Sequence, residues 1–155
     1  HQLEALPELR ESDVGKIPGH DQEGENLIIG SDSLSGLDYL FSIDSSNQLI
    51  LNRLNISTGE LSFANSISLS DYEIDLVSND FYQTEDLLIV ANSGRIHIFQ
   101  FSLLDASLNY LGSIGDDRLN SFTSVEKLGS FLYFSAPFAE DGRGAIYIYE
   151  LDADL

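Results

Sequence analysis

The chain has no cysteine, no methionine and no tryptophan, and only three prolines and seven basic residues in 155. Without cysteine there is no disulfide, no thiolate metal site and no cysteine nucleophile. No apolar run approaches the ~20 residues that a helix needs to cross a bilayer. A basic segment leading into an apolar one is also missing, so no signal peptide is read here. A chain that begins at His1 fits a processed protein or a cut one equally well. Seven Lys and Arg against 26 Asp and Glu leave a net charge of -19 at neutral pH. A surface this negative repels phosphate backbones and anionic lipid, so neither nucleic acid nor membrane is an expected partner. Cations, basic proteins and neutral ligands remain compatible.

Chemistry-bearing patterns are equally sparse. The histidines are His1, His20 and His97. His97 lies in a strand-like run, where a packed position is expected. His20 stands beside Asp21 and Glu23 in a polar loop and reads as a solvated turn. No serine sits in a nucleophile elbow, and the glycines form neither a phosphate loop nor a dinucleotide fingerprint. Carboxylates are spread everywhere, so no general acid and base pair stands out. No catalytic residue is nominated, and the chain is read as non-enzymatic.

What is present is repetition. Apolar residues make up 43% of the chain, enough for the core of one domain. "QLILNRL" (48–54), "RIHIFQF" (95–101) and "AIYIYEL" (145–151) share a β-branched and aromatic run with period-2 alternation. Matching Leu49 to Ile96 gives an offset of 47, and Ile96 to Ile146 gives 50. The preceding runs "YLFSIDS" (39–45), "LLIVANS" (87–93) and "FLYFSAP" (131–137) are offset by 48 and then 44. Each pair is joined by a turn signal, at Ser46-Asn47, Ser93-Gly94 or Asp141-Gly142.

The copies extend outward. Less regular strands follow the first two hairpins at 61–69 and 108–115, and others precede the hairpins at 26–31, 72–78 and 122–128. No segment sustains a 3.6-residue period. The reading is all-β, with units at 24–71, 72–118 and 119–155. Each has four short antiparallel strands except the last, which lacks one. Four strands in about 40–50 residues is the size of a propeller blade. A single β-sandwich with similar hairpins is the alternative. Runs such as "LLIV" and "FLYF" are apolar on both faces, as for a blade between two others. Leu88, Val90, Ile96, Ile98, Leu132, Phe134, Ile146 and Ile148 are therefore expected in the core.

"FLYFSAPFAEDGRGAIYIYE" resembles the repeat of integrin-α-like (FG-GAP) β-propellers. In that repeat, a strand ending in Gly-Ala-Pro precedes an acidic Gly-rich turn and a Gly-Ala-Val-Tyr-Val-type strand. Ala136, Pro137, Gly142, Gly144, Ala145, Tyr147 and Tyr149 match. Ser135 stands where the family has glycine, and the Phe-Gly pair is missing near Phe122. The resemblance implies a propeller, and it directs attention to calcium, which such repeats often hold in an Asp-rich loop before the Gly-Ala-Pro strand. Asp32 and Asp38, then Asp80 and Asp86, stand at those places. None of these loops carries the full acidic motif, so a solvated acidic turn is the competing reading.

Three blades are fewer than a closed ring needs, and an open stack exposes apolar faces and strand edges. Residues 1–23 have no unit of their own and are a candidate closing strand. A second copy, or blades on another polypeptide, would serve equally. The expectation is a secreted or surface module, extracellular or periplasmic, for protein–protein interaction, adhesion or assembly. The alternatives are a glycan-binding lectin propeller, hinted at by Tyr147 and Tyr149, or a fragment of a larger secreted enzyme. "NIS" (55–57) is a glycosylation sequon of a kind common by chance, and "GRG" (142–144) is no adhesion motif by itself.

Overall fold

The computed structural model describes residues 28–31, 36–74, 79–92 and 94–151, without the side chains of residues 28, 29, 79 and 80. Segment 1–23, with its expected closing strand, lies outside the described residues.

The described chain is all-β, in three antiparallel sheets of four, four and three strands. The first sheet holds β1 (Ile28–Ser31), β2 (Asp38–Ile43), β3 (Gln48–Asn55) and β4 (Glu60–Ser68), neighbours in chain order. The second holds β5 (Asn79–Thr84), β6 (Leu87–Asn92), β7 (Arg95–Ser102) and β8 (Ser107–Ile114), in the same order. The third holds β9 (Ser124–Leu128), β10 (Phe131–Ala136) and β11 (Ala145–Glu150), with β11 at its edge. A tight turn at Ala139–Gly142, with Glu140, Asp141 and Gly142 in the left-handed region, joins β10 to β11.

Turn chemistry sets these hairpins. In the β2–β3 turn, Asp44 Oδ1 accepts hydrogen bonds from Ser46 N and Gln48 N at 2.9 and 3.0 Å. Asn47 takes the left-handed conformation there, which asparagine tolerates better than most residues. Its side chain donates to Ser70 Oγ and to the carbonyl of Ile74 at 3.0 and 2.8 Å. That contact pins the 3₁₀ turn Leu69–Tyr72 against the first sheet.

The turn explains one departure from the sequence reading. Residues 72–78 were expected to open the second unit as a strand, but the strand is Asn79–Thr84. Leu69 and Ile74 are buried from a turn that Glu73 closes in the left-handed region, and Ile74 N donates to Leu69 O. The alternation of Tyr72 and Ile74 therefore serves a packed turn and not a ladder.

The packing between sheets has one repeating order. Tyr39, Phe41, Leu49 and Leu51 of the first sheet meet Leu88, Val90, Phe99 and Phe101 of the second. The opposite side of the second sheet, Leu87, Ile89, Ile96 and Ile98, meets Val125, Leu132, Phe134 and Ala136 of the third. The run Leu87–Val90 is thus buried on both faces, because successive side chains alternate between two neighbours. Strands β1, β5 and β9 succeed one another along one border, and β4 lies against β8 along the other. The stack is open, and its ends differ.

Candidate interaction surface

The third sheet has no sheet beyond it among the described residues. Its inner face is apolar and buried at Leu132, Phe134 and Val125. Its outer face carries Leu128, Phe131, Ile146 and Ile148, exposed by 69%, 38%, 67% and 58%. Register places Tyr133 opposite Ile148 on one side and opposite Glu126 on the other. Phe131 stands between Leu128 and Glu150, and Ser135 between Ser124 and Ile146. An apolar centre is thus flanked by carboxylates on both outer strands.

Ile146 and Ile148 were expected in the core, and the structure places them outside. The reason is the alternation of β11: Tyr147 and Tyr149 turn inward against the second core cluster, which sends the two isoleucines out. Of the other expected core residues, Leu88, Val90, Ile96, Ile98, Leu132 and Phe134 are buried. The outer residues Leu128, Phe131 and Tyr133 were not singled out from the sequence. "FLYF" shows apolar residues on both faces of the strand, but not which face lacks a neighbour.

The backbone edge of the same sheet is also open. In the first two sheets the third strand is covered by a fourth, β4 on β3 and β8 on β7. Among the described residues β11 pairs with β10 alone.

Two polar clusters fasten the third sheet to its surroundings. At the seam with the second sheet, Lys127 Nζ lies 3.2 Å from Asp86 Oδ1 and 3.3 Å from Glu85 Oε2. Lys127 N donates to Thr84 Oγ1 at 2.8 Å, and Gln100 Nε2 donates to Asp86 Oδ2 at 2.8 Å. Burial pulls the Asp86 carboxyl upward, but the hydrogen bonds from Gln100 and Lys127 outweigh it and hold it below the usual carboxylate value. Burial likewise pulls Lys127 down, and its two carboxylate partners more than restore it.

The second cluster joins the β8–β9 loop to β11. Asp116 accepts from Arg118 Nε and Nη2 at 3.1 and 2.8 Å and from the Tyr149 hydroxyl. The Arg118 guanidinium lies 4.7 Å from the centre of the Tyr147 ring, and the Tyr147 hydroxyl donates to Glu140 at 3.4 Å. Bonds from Arg118 and Tyr149 drive the Asp116 carboxyl far below its ordinary range. Burial, with Asp116 beside it, raises the Tyr149 phenol. Tyr147 and Tyr149, the pair that hinted at a stacking platform for sugars, have ring partners already in Arg118 and Phe134.

Each of the two candidate calcium pairs, Asp32 with Asp38 and Asp80 with Asp86, is only partly described. Asp32 lies outside the described residues. Asp80 is on β5 opposite Ala91, and its side chain is not described. Asp38, half-buried at the start of β2, accepts from the Ser31 hydroxyl. It borders an open groove of about 440 Å³ with Arg53 and Glu60. Asp86 faces the Lys127 ammonium, so a protein cation stands where the resemblance implies a metal ion. Among the described residues no group of three or more His, Asp or Glu is placed to hold a metal. His97 is buried, as a packed residue should be, and its Nδ1 lies 3.0 Å from the Tyr110 hydroxyl.

Compared with known proteins, the chain matches no family model, no curated protein and no solved structure.

Proposed function

We propose that the chain is an arc of propeller-type blades, resembling integrin-α-like repeats, that acts as a non-enzymatic module binding protein outside the cytoplasm. The observation that carries this reading is the repeated order of the stack. Each sheet offers one apolar face to the next, and the last such face, on the third sheet, meets no further sheet among the described residues. An apolar face rimmed by carboxylates on a chain of net charge -19 suits association with protein. Calcium plays no part in this reading at Asp86, where Lys127 supplies the positive charge.

The test is the state in which the protein occurs. Native mass spectrometry of the protein from its source should find it in a stoichiometric protein complex. Replacing Ile146 and Ile148 by glutamate should release it. Recovery as a free chain that turns over a substrate would overturn the reading.

A further inference from the structure

We infer that the outer face of the third sheet is a self-association surface, on which two copies of this chain pack third sheet against third sheet about a two-fold axis. The inference rests on the interaction-module reading above and names its partner.

The residues of that face have equivalents in the other sheets. By the repeat offsets, Phe131 and Tyr133 correspond to Leu87 and Ile89, and before them to Tyr39 and Phe41. Ile146 and Ile148 correspond to Ile96 and Ile98, and before them to Leu49 and Leu51. Both earlier sets are buried against the next sheet. The open face is therefore the third copy of a face that this chain covers twice by sheet-on-sheet packing.

The far end of the stack does not offer a matching surface. There Ser42 and Asn52 hold the places of Val90 and Phe134 and of Phe99 and Tyr149. Both are already buried, at 2% and 4% exposure. Copies stacked head to tail would press the apolar face of one against a face of the next on which Leu40, Ile50 and Leu54 alternate with the buried polar side chains of Ser42 and Asn52. Packing like face on like face needs no such acceptor. It pairs the Phe131, Tyr133, Ile146 and Ile148 centre with itself and leaves Glu126 and Glu150 toward the outer strands, within reach of water. Two aligned sheets at about 10 Å separation bury such residues as in a sandwich. The two-fold arrangement also ends at two copies, whereas head-to-tail stacking continues unless it closes into a ring.

A three-stranded face is small beside a standard interface, so the affinity belongs in the micromolar range and not the nanomolar. Salt should strengthen the pairing. Each copy carries -19, and screening that repulsion helps while apolar burial is not weakened.

Sedimentation equilibrium on the full chain, up to about 100 µM and at low and high salt, tests this. The expected result is a mass rising to twice the chain mass, at lower concentration in high salt. The double variant Ile146→Glu with Ile148→Glu should remain a monomer with an unchanged circular dichroism spectrum. Phe63→Glu, at an equally exposed apolar residue (65%) on β4, should still dimerise. A wild-type chain that stays monomeric throughout overturns the inference, as does a double variant that still dimerises. If that monomer forms a stable complex with a different protein, the self-association claim falls and the interaction module stands. If it forms no complex at all, both fall.

Discussion

Tyr133 and Ile148 stand directly opposite each other across the β10–β11 ladder, and both point away from the core that their neighbours Phe134 and Tyr149 help to build. One strand pair therefore carries two chemically similar faces with opposite fates. Much of the behaviour expected of this protein follows from that difference.

Stability should separate the two faces. Phe134→Ala removes a fully buried ring packed edge-to-face against Phe122 and Tyr149, and should cost about 3–5 kcal/mol. Ile148→Ala on the outer face should cost less than about 1 kcal/mol in dilute protein. Urea unfolding of both variants at low concentration checks this. Equal losses would mean that both faces are buried within one chain.

His97 should make stability depend on pH. Burial, helped by the nearby charge of Arg95, lowers its pKa below the ordinary value of 6.5, so the folded chain holds it neutral. The unfolded chain takes up a proton at about pH 6.5 while the folded chain does not. The stabilising contribution is thus complete above that pH and is lost as pH falls below it. Between about pH 7.5 and 5.5, wild type should lose more stability than His97→Phe, in which every other titrating group is retained. Parallel pH profiles for the two proteins would exclude His97 as the cause.

The lysine seam should matter more than calcium at Asp86. Lys127→Met leaves Asp86 facing Glu85 and Gln100 without a cation and should destabilise by about 1–2 kcal/mol, discounted for partial solvent exposure. Wild type should melt at the same temperature in millimolar calcium and in chelator. A calcium-dependent rise of several degrees would instead place a bound ion in the native state.

Asn47 ties a hairpin turn to the 3₁₀ turn through two hydrogen bonds and also tolerates a positive φ. Asn47→Ala loses both advantages and should cost about 1–3 kcal/mol, while Asn47→Gly, which keeps the conformational tolerance, should cost less. A reversed order would mean that the positive φ costs alanine nothing there, and a near-zero cost for Asn47→Gly that the two bonds contribute nothing net.

The strands were readable because their pattern is local. The runs 48–54, 87–93, 95–101, 131–137 and 145–151 each contain a strand within a residue or two of its observed ends, since alternation and turn residues act over a few positions. The role of residues 72–74 was not readable. Tyr72 and Ile74 alternate like a strand, but the Asn47 side chain holds them in a turn from 27 residues away. The fate of Ile146 and Ile148 was hidden for a similar reason: period 2 defines two faces, and only the number of neighbouring sheets decides which of them meets water. Asp86 looked like a cation ligand because its partner, Lys127, is 41 residues distant in sequence.

The absence of native cysteine permits the most direct measurement of the central claim, that one copy of a repeated apolar face is covered inside the chain and its equivalent is not. Single cysteines at positions 98 and 148, in separate variants, occupy equivalent places on β7 and β11. In dilute protein, the thiol at 148 should react with a soluble reagent at nearly the unfolded rate, and more slowly as concentration rises. The thiol at 98 should stay protected at every concentration until the chain unfolds. Equal reactivity at the two positions in dilute protein would contradict the account.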